Sequence, residues 1–254
     1  MQTAYPFVAI AALALTGTVQ ASTVVTQWNF NGPLGVNNTP FPSTGAGSAT
    51  PVGMNGGLNN ADILNAGGTP TSSDPSLPNQ AWRVRGSQSN GWSGTVSLLS
   101  GARFNASTAN QENIVVSLDI QATDGSSRHA QFQYTLDGST FSSFGGLLDF
   151  NTTNDRWANG ITFNLSSITA ASDNANFGFR VVSAFSPDAF TNANGLQAAN
   201  TAFQRADAGT NVYTGGAGNY RFDMVTVSGT LIPAPAAAAL LGLAGLMAGR
   251  RRRL

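Results

Sequence analysis

The chain has 254 residues, among them twelve arginines, no lysine, twelve acidic residues, one histidine and no cysteine. That composition excludes a disulfide scaffold, and it leaves Cys-His, Ser-Lys and multi-histidine zinc chemistry without the side chains they require. Four of the arginines are the terminal Arg250, Arg251, Arg252 and Arg253; without them eight face twelve acidic residues, a formal charge of −4, which argues against nucleic acid and anionic membrane surfaces as partners.

Residues 1–21 read as a signal peptide helix. Phe7 to Leu15 form an apolar run with no charged face to turn to solvent, and Val19-Gln20-Ala21 offers small residues at the positions signal peptidase requires. The segment before the run carries no Lys or Arg, so its positive charge is the amino terminus alone. Cleavage would start the mature chain near Ser22. Residues 22–230 then suit one all-β domain, since roughly 200 residues commonly make a single sandwich or barrel.

Strands are expected at Val24 to Phe30, Trp82 to Arg85 and Gly94 to Leu99, with a long excursion from Asn31 to Pro78 that should hold short strands or ordered surface structure. The clearest period-two alternation places Ile114, Val116, Leu118 and Ile120 on one face and Ser117, Asp119 and Gln121 on the other. Ala130, Phe132, Tyr134 and Leu136 repeat it, with His129, Gln131, Gln133 and Thr135 facing outward, and Ala122 to Ser127 is expected to join the two strands as a hairpin. Asp137-Gly138 turns the chain into Phe141 to Phe144. Further strands are expected at Ile161 to Leu165, Phe177 to Val182 and Tyr220 to Val227, with a second excursion from Ser186 to Gly218. Short strands, polar turns and no capped helical stretch indicate an antiparallel β-sandwich, jelly-roll-like, with its first and last strands near each other.

After the body come Pro233-Ala234-Pro235, the apolar run Ala236 to Gly249 and Arg250 to Arg253. A proline pair, an apolar segment and a basic end make a stop in a membrane with the arginines held on the cytoplasmic side. Fourteen residues at about 1.5 Å each fall short of a hydrocarbon core roughly 30 Å thick, and Ala and Gly are weakly lipophilic, so the short apolar helix suits a transient anchor. Residues 231–254 resemble the sorting tails of the PEP-CTERM family, exported proteins of bacteria that make extracellular polysaccharide. Ala234 stands where that family's name has Glu. The resemblance implies processing by an exosortase-type enzyme, after signal peptidase at the other end, and delivery to the cell surface or the extracellular space. The stretches Tyr134 to Phe141 and Arg221 to Val227 loosely resemble jelly-roll carbohydrate-binding modules.

Catalytic groups are scarce. His129 lies beside Arg128 on a polar strand face with no nucleophile elbow in the chain, and an exposed surface histidine is expected. Glu112, Asp119, Asp149 and Asp155 could supply a glycosidase pair, but no spacing selects two of them. Trp28 and Trp82 sit inside strands and are expected in the core. Trp92 and Trp157 sit among polar neighbours and are candidates for a sugar platform, with structural packing as the other reading. Among candidate oxygen ligands for a structural Ca²⁺, Asp223 and the segment Asp173 to Asn176 stand out, although Asx-rich turns are common without metal. Two readings of function follow. One is a non-enzymatic surface or matrix protein; the alternative is a carbohydrate-binding module or weak glycan-active enzyme delivered by the same route.

Overall fold

The computed structural model describes residues 20–33, 39–54, 60–62, 72–76, 79–85, 98–123, 125–150, 157–185, 206 and 218–233. Among the described residues twelve strands run in the order β1 (Thr23–Trp28), β2 (Ser48–Val52), β3 (Asn60–Asp62), β4 (Gln80–Arg85), β5 (Gly101–Asn105), β6 (Gln111–Ala122), β7 (His129–Thr135), β8 (Phe141–Ser143), β9 (Leu148–Asp149), β10 (Trp157–Asn164), β11 (Gly178–Ala184) and β12 (Asn219–Leu231). Among the described residues the helical structure is a single 3₁₀ turn at Thr169–Ala171, and no helix is long and apolar enough to cross a membrane. Both expected terminal helices, the signal segment and the apolar run, lie outside the described residues.

The strands form two antiparallel six-stranded sheets. In the first the order is β10-β6-β12-β4-β3, with β1 also paired to β12; in the second it is β2-β5-β11-β7-β8, with β9 also paired to β7. Consecutive segments pass repeatedly from one sheet to the other, so the chain builds both layers together, as in a jelly-roll-like sandwich. The first and last strands pair, with Gln27 opposite Thr226 and Trp28 opposite Val225. The excursion after Asn31 contains β2 and β3, one in each sheet.

Alternation places the core. Ile114, Val116, Leu118 and Ile120 are all buried on the inner face of β6, as are Ala130 and Phe132 on β7. Between the sheets lies an aromatic layer. Trp82 of β4 meets Phe104 of β5 edge-on at 5.7 Å and lies stacked on Phe30 at 6.0 Å, while Phe104 stacks on Phe179 of β11 at 5.2 Å. Phe132 stacks on Phe163 at 3.8 Å. Trp28 and Trp82 are completely buried, as their strand positions predict. With no disulfide available, this apolar layer holds the fold.

Two expectations require correction. Residues 122–127 do not close a hairpin, because β6 pairs with β10 and β12 whereas β7 pairs with β11, β8 and β9. Two strands with the same alternation bury their apolar faces equally well as neighbours in one sheet or as facing layers, so periodicity cannot separate the cases. The outer face of β7 is also not solvated: His129, Gln131, Gln133 and Thr135 are all buried. Neighbouring side chains lie across it. Gln133 accepts a hydrogen bond from Arg180 Nε and donates one to Ser143 Oγ, while Gln131 donates to the carbonyls of Phe132 and Phe144.

Candidate functional site

The outer face of the first sheet carries an unusual burial of acid. Asp119 on β6 and Asp223 on β12 are register partners, facing each other across the strand pair, and Asp119 is 1% and Asp223 0% exposed. Residues Ser72 to Asp74 lie over them. Ser72 Oγ donates to Asp223 Oδ2, Ser73 donates through both its amide and hydroxyl to Asp119 Oδ2 at 2.6 and 2.7 Å, and Gly160 N donates to Asp119 Oδ1 at 2.7 Å. Gly160 reaches that oxygen where the β10–β6 register slips between Ala158 and Ile161, a bulge that turns its amide toward the Asp119 carboxylate.

Asp74, itself buried, completes the cluster. Its Oδ2 accepts from Asn31 Nδ2 at 2.7 Å and its Oδ1 from Ser76 N at 2.8 Å, while Asn31 Oδ1 takes the amide of Gln80. Every carboxylate oxygen of the three aspartates thus has a donor from the chain, since Met224 N serves Asp223 Oδ1 at 2.7 Å. Burial raises the Asp223 pKa to about 7, with Asp74 and Asp119 nearby adding to the rise against the hydrogen bonds from Ser72 and Met224. The arrangement clamps the Ser72–Asp74 segment to the sheet. Its oxygens are occupied as anchors, and among the described residues no group of three His, Cys, Asp or Glu side chains is arranged to hold a metal ion.

The other candidate ligand segment is a turn. Asp173 Oδ1 accepts from Asn110 N, Asn174 Oδ1 from Asn176 N, and Asn174 Nδ2 bonds the carbonyls of Leu136 and Ala170. These side chains satisfy the backbone where β11 begins.

Trp157 opens β10 and is 7% exposed, packed against Ala81. Its polar sequence neighbours suggest an exposed ring; the sheet buries it instead, because alternation places Trp157 beside Gln121 on the covered outer face. Packing is the role this geometry supports. Trp92 lies outside the described residues, as do Asp155 and Ala234 to Arg253. Pro233 is exposed immediately after β12.

His129 is a correction as well. It is 4% exposed, opposite Asp149 in the β7–β9 pairing. Arg128 holds Asp149 with Nε at 2.6 Å and Nη2 at 2.8 Å, and the same carboxylate stands 3.9 Å from His129 Nε2. β9, only two residues long, covers the imidazole. Sequence reasoning missed β9 because Leu148-Asp149 is too short to show a period, and it missed β5 because Gly101 to Asn105 combines glycine and alanine with an arginine. The signal in β5 was the inward pair Ala102 and Phe104 alternating with Arg103 and Asn105.

These features define an antiparallel two-sheet β-sandwich with polar networks on both outer faces. No protein-family model matches the chain, and no curated protein matches it.

Proposed function

We propose that this is an exported, non-enzymatic cell-surface or extracellular-matrix protein, sorted by its C-terminal tail through an exosortase-type enzyme after signal peptidase has removed residues 1–21. The observation that carries the reading is the junction between body and tail. β12 runs to Leu231, the amide of Ile232 makes a last backbone bond to the carbonyl of Asn110, and Leu231 and Pro233 are exposed. The sandwich is complete before Pro233-Ala234-Pro235 begins. Cutting there would break no strand pairing, which is what a removable address requires. A transient membrane anchor followed by release fits the short apolar run and its four arginines.

The state of the carboxylates supports a non-enzymatic body. Asp119 and Asp223 face each other but are buried under Ser72–Asp74 with their oxygens engaged, so no sugar ring can lie between them as glycoside hydrolysis requires. Asp149 is held by Arg128, and Glu112 is exposed at the start of β6.

The test compares the chain expressed with and without Arg250 to Arg253 in a host with an exosortase-type enzyme. The intact chain should lose its tail, seen as a fall in mass, and move from the membrane to the surface or medium; the truncated chain should keep its full remaining length. An unprocessed chain in both cases would overturn the sorting reading.

A further inference from the structure

The outer face of the second sheet holds two arginines where simple electrostatics disfavours them. Arg103 on β5 and Arg180 on β11 are register partners, and like charges directly opposite on antiparallel strands repel. Among the described residues no carboxylate lies within ion-pair distance of either. Phe141 on β8 takes both guanidinium groups, Arg180 at 4.0 Å and Arg103 at 5.2 Å from the ring centre, a contact that steadies cations without neutralising them. The remaining partners are neutral. Arg103 Nε donates to Asn105 Oδ1 at 2.9 Å and its Nη2 to the Gly138 carbonyl, while Arg180 Nε donates to Gln133 Oε1 at 2.7 Å.

Each arginine is thereby fixed through its Nε edge. Among the described residues, both Nη groups of Arg180 and Nη1 of Arg103 make no hydrogen bond. Those are the N–H groups that grip an oxyanion in bidentate fashion. Burial and the adjacent Arg103 hold the Arg180 pKa below its usual value, yet a guanidinium stays charged at any physiological pH. Two fixed cations side by side, each half-buried, form a preorganised site for negative charge.

The surroundings indicate what bears that charge. Thr50, Arg103, Arg180, Gln133 and Ser143 stand in register across five strands, a polar row of roughly 19 Å at about 4.8 Å per strand. Beside it opens a shallow concavity of about 280 Å³ lined by Ser48, Asn105, Gly138, Asn176 and Phe177 among others, two of which, Asn105 and Gly138, already hold Arg103. Amides and hydroxyls around a small cationic centre suit a ligand with many hydroxyls and sparse anionic groups. Nucleic acid, with a charge every few ångströms, calls for a broad basic stripe and a cationic body, whereas this body, without the four terminal arginines, carries a formal charge of −4.

We propose that the outer face of the second sheet binds an extended carboxylated polysaccharide, with Arg103 and Arg180 gripping its carboxylates and the adjoining concavity taking its hydroxyls. The inference concerns the body and is independent of how the tail is processed, so binding and sorting fail separately. The purified full-length chain is titrated with polygalacturonate, with dextran as neutral control and dextran sulfate and single-stranded DNA as competing polyanions. Polygalacturonate should bind, more weakly at high salt, and Arg103→Gln/Arg180→Gln should weaken it at least about tenfold, the loss of two charge-assisted contacts. Arg85→Gln, an exposed arginine on the first sheet, should change nothing. Hydrogen exchange on the unaltered chain gives a readout that needs no variant: polygalacturonate should protect Gly101–Asn105 and Gly178–Ala184. No binding, undiminished binding by a folded double variant, equal loss with Arg85→Gln, protection elsewhere, or equal affinity for dextran sulfate or DNA would each overturn the proposal.

Discussion

Asp223 shows how a single residue can be legible as a type and illegible as a role. Its place in the last strand was evident; its burial depends on Ser72, about 150 positions earlier in the chain. The consequence is a defined pH dependence. Its folded pKa of about 7 lies above the unfolded value of 3.8, so between those values the folded state holds more proton than the unfolded state. Its stabilisation is complete below the unfolded pKa and disappears as pH rises through about 7, a swing of up to about 4 kcal/mol. Asp223→Asn should remove this component, making the variant less pH-dependent than the parent between about pH 4 and 8, as checked by denaturant titrations across that range. Asp137 has the opposite sign. Backbone amides of Thr140 and Ser139 hold its pKa well below the usual carboxylate range, so what it contributes is present at neutral pH and lost only on strong acidification. At Trp82, fully buried among Phe30, Phe104 and Phe222, substitution by Ala should cost about 3–5 kcal/mol through the cavity it leaves, measured as a lowered denaturation midpoint.

At the scale of elements, two glycines separate backbone strain from steric exclusion. Gly138 completes the Asp137-Gly138 turn with φ of 76°, and a Cβ there would meet nothing nearer than the Asn176 carbonyl at 3.9 Å. Gly138→Ala should therefore cost only the conformational penalty, about 1–2 kcal/mol. Gly101 begins β5 against β11, where a Cβ would lie 2.0 Å from the Val181 carbonyl. No side chain fits there. Gly101→Ala should push β5 from β11 and lower the thermal midpoint much further than Gly138→Ala, and loss of amide protection confined to β5 and β11 would locate the cause. The turn could be read locally because Asp and Gly form it by themselves; the close approach at Gly101 could not, because it depends on which strand lies beside it.

On the scale of the whole molecule, β12 is the member that joins ends and middle. It pairs with β6 along one edge and with β1 and β4 along the other, so the sandwich closes only when the last strand has arrived. Ending the chain at Pro233 should leave the unfolding midpoint essentially unchanged, whereas ending it before Asn219 should abolish cooperative unfolding; calorimetry on both truncations decides. A large destabilisation by the first truncation would count against a dispensable tail. The class of fold, the inward faces of β6 and β7 and the core positions of Trp28 and Trp82 were determined by sequence alone, because the alternation of apolar and polar side chains is a local property of each strand. Tertiary structure alone decided that the first and last strands pair, that β6 and β7 lie in opposite sheets, that His129 and Trp157 are buried, that Asp119 and Asp223 meet under Ser72–Asp74, and that Arg103 and Arg180 stand side by side. Each of these depends on strand pairing between distant residues, and a period of two records which face a residue takes but not which strand it meets.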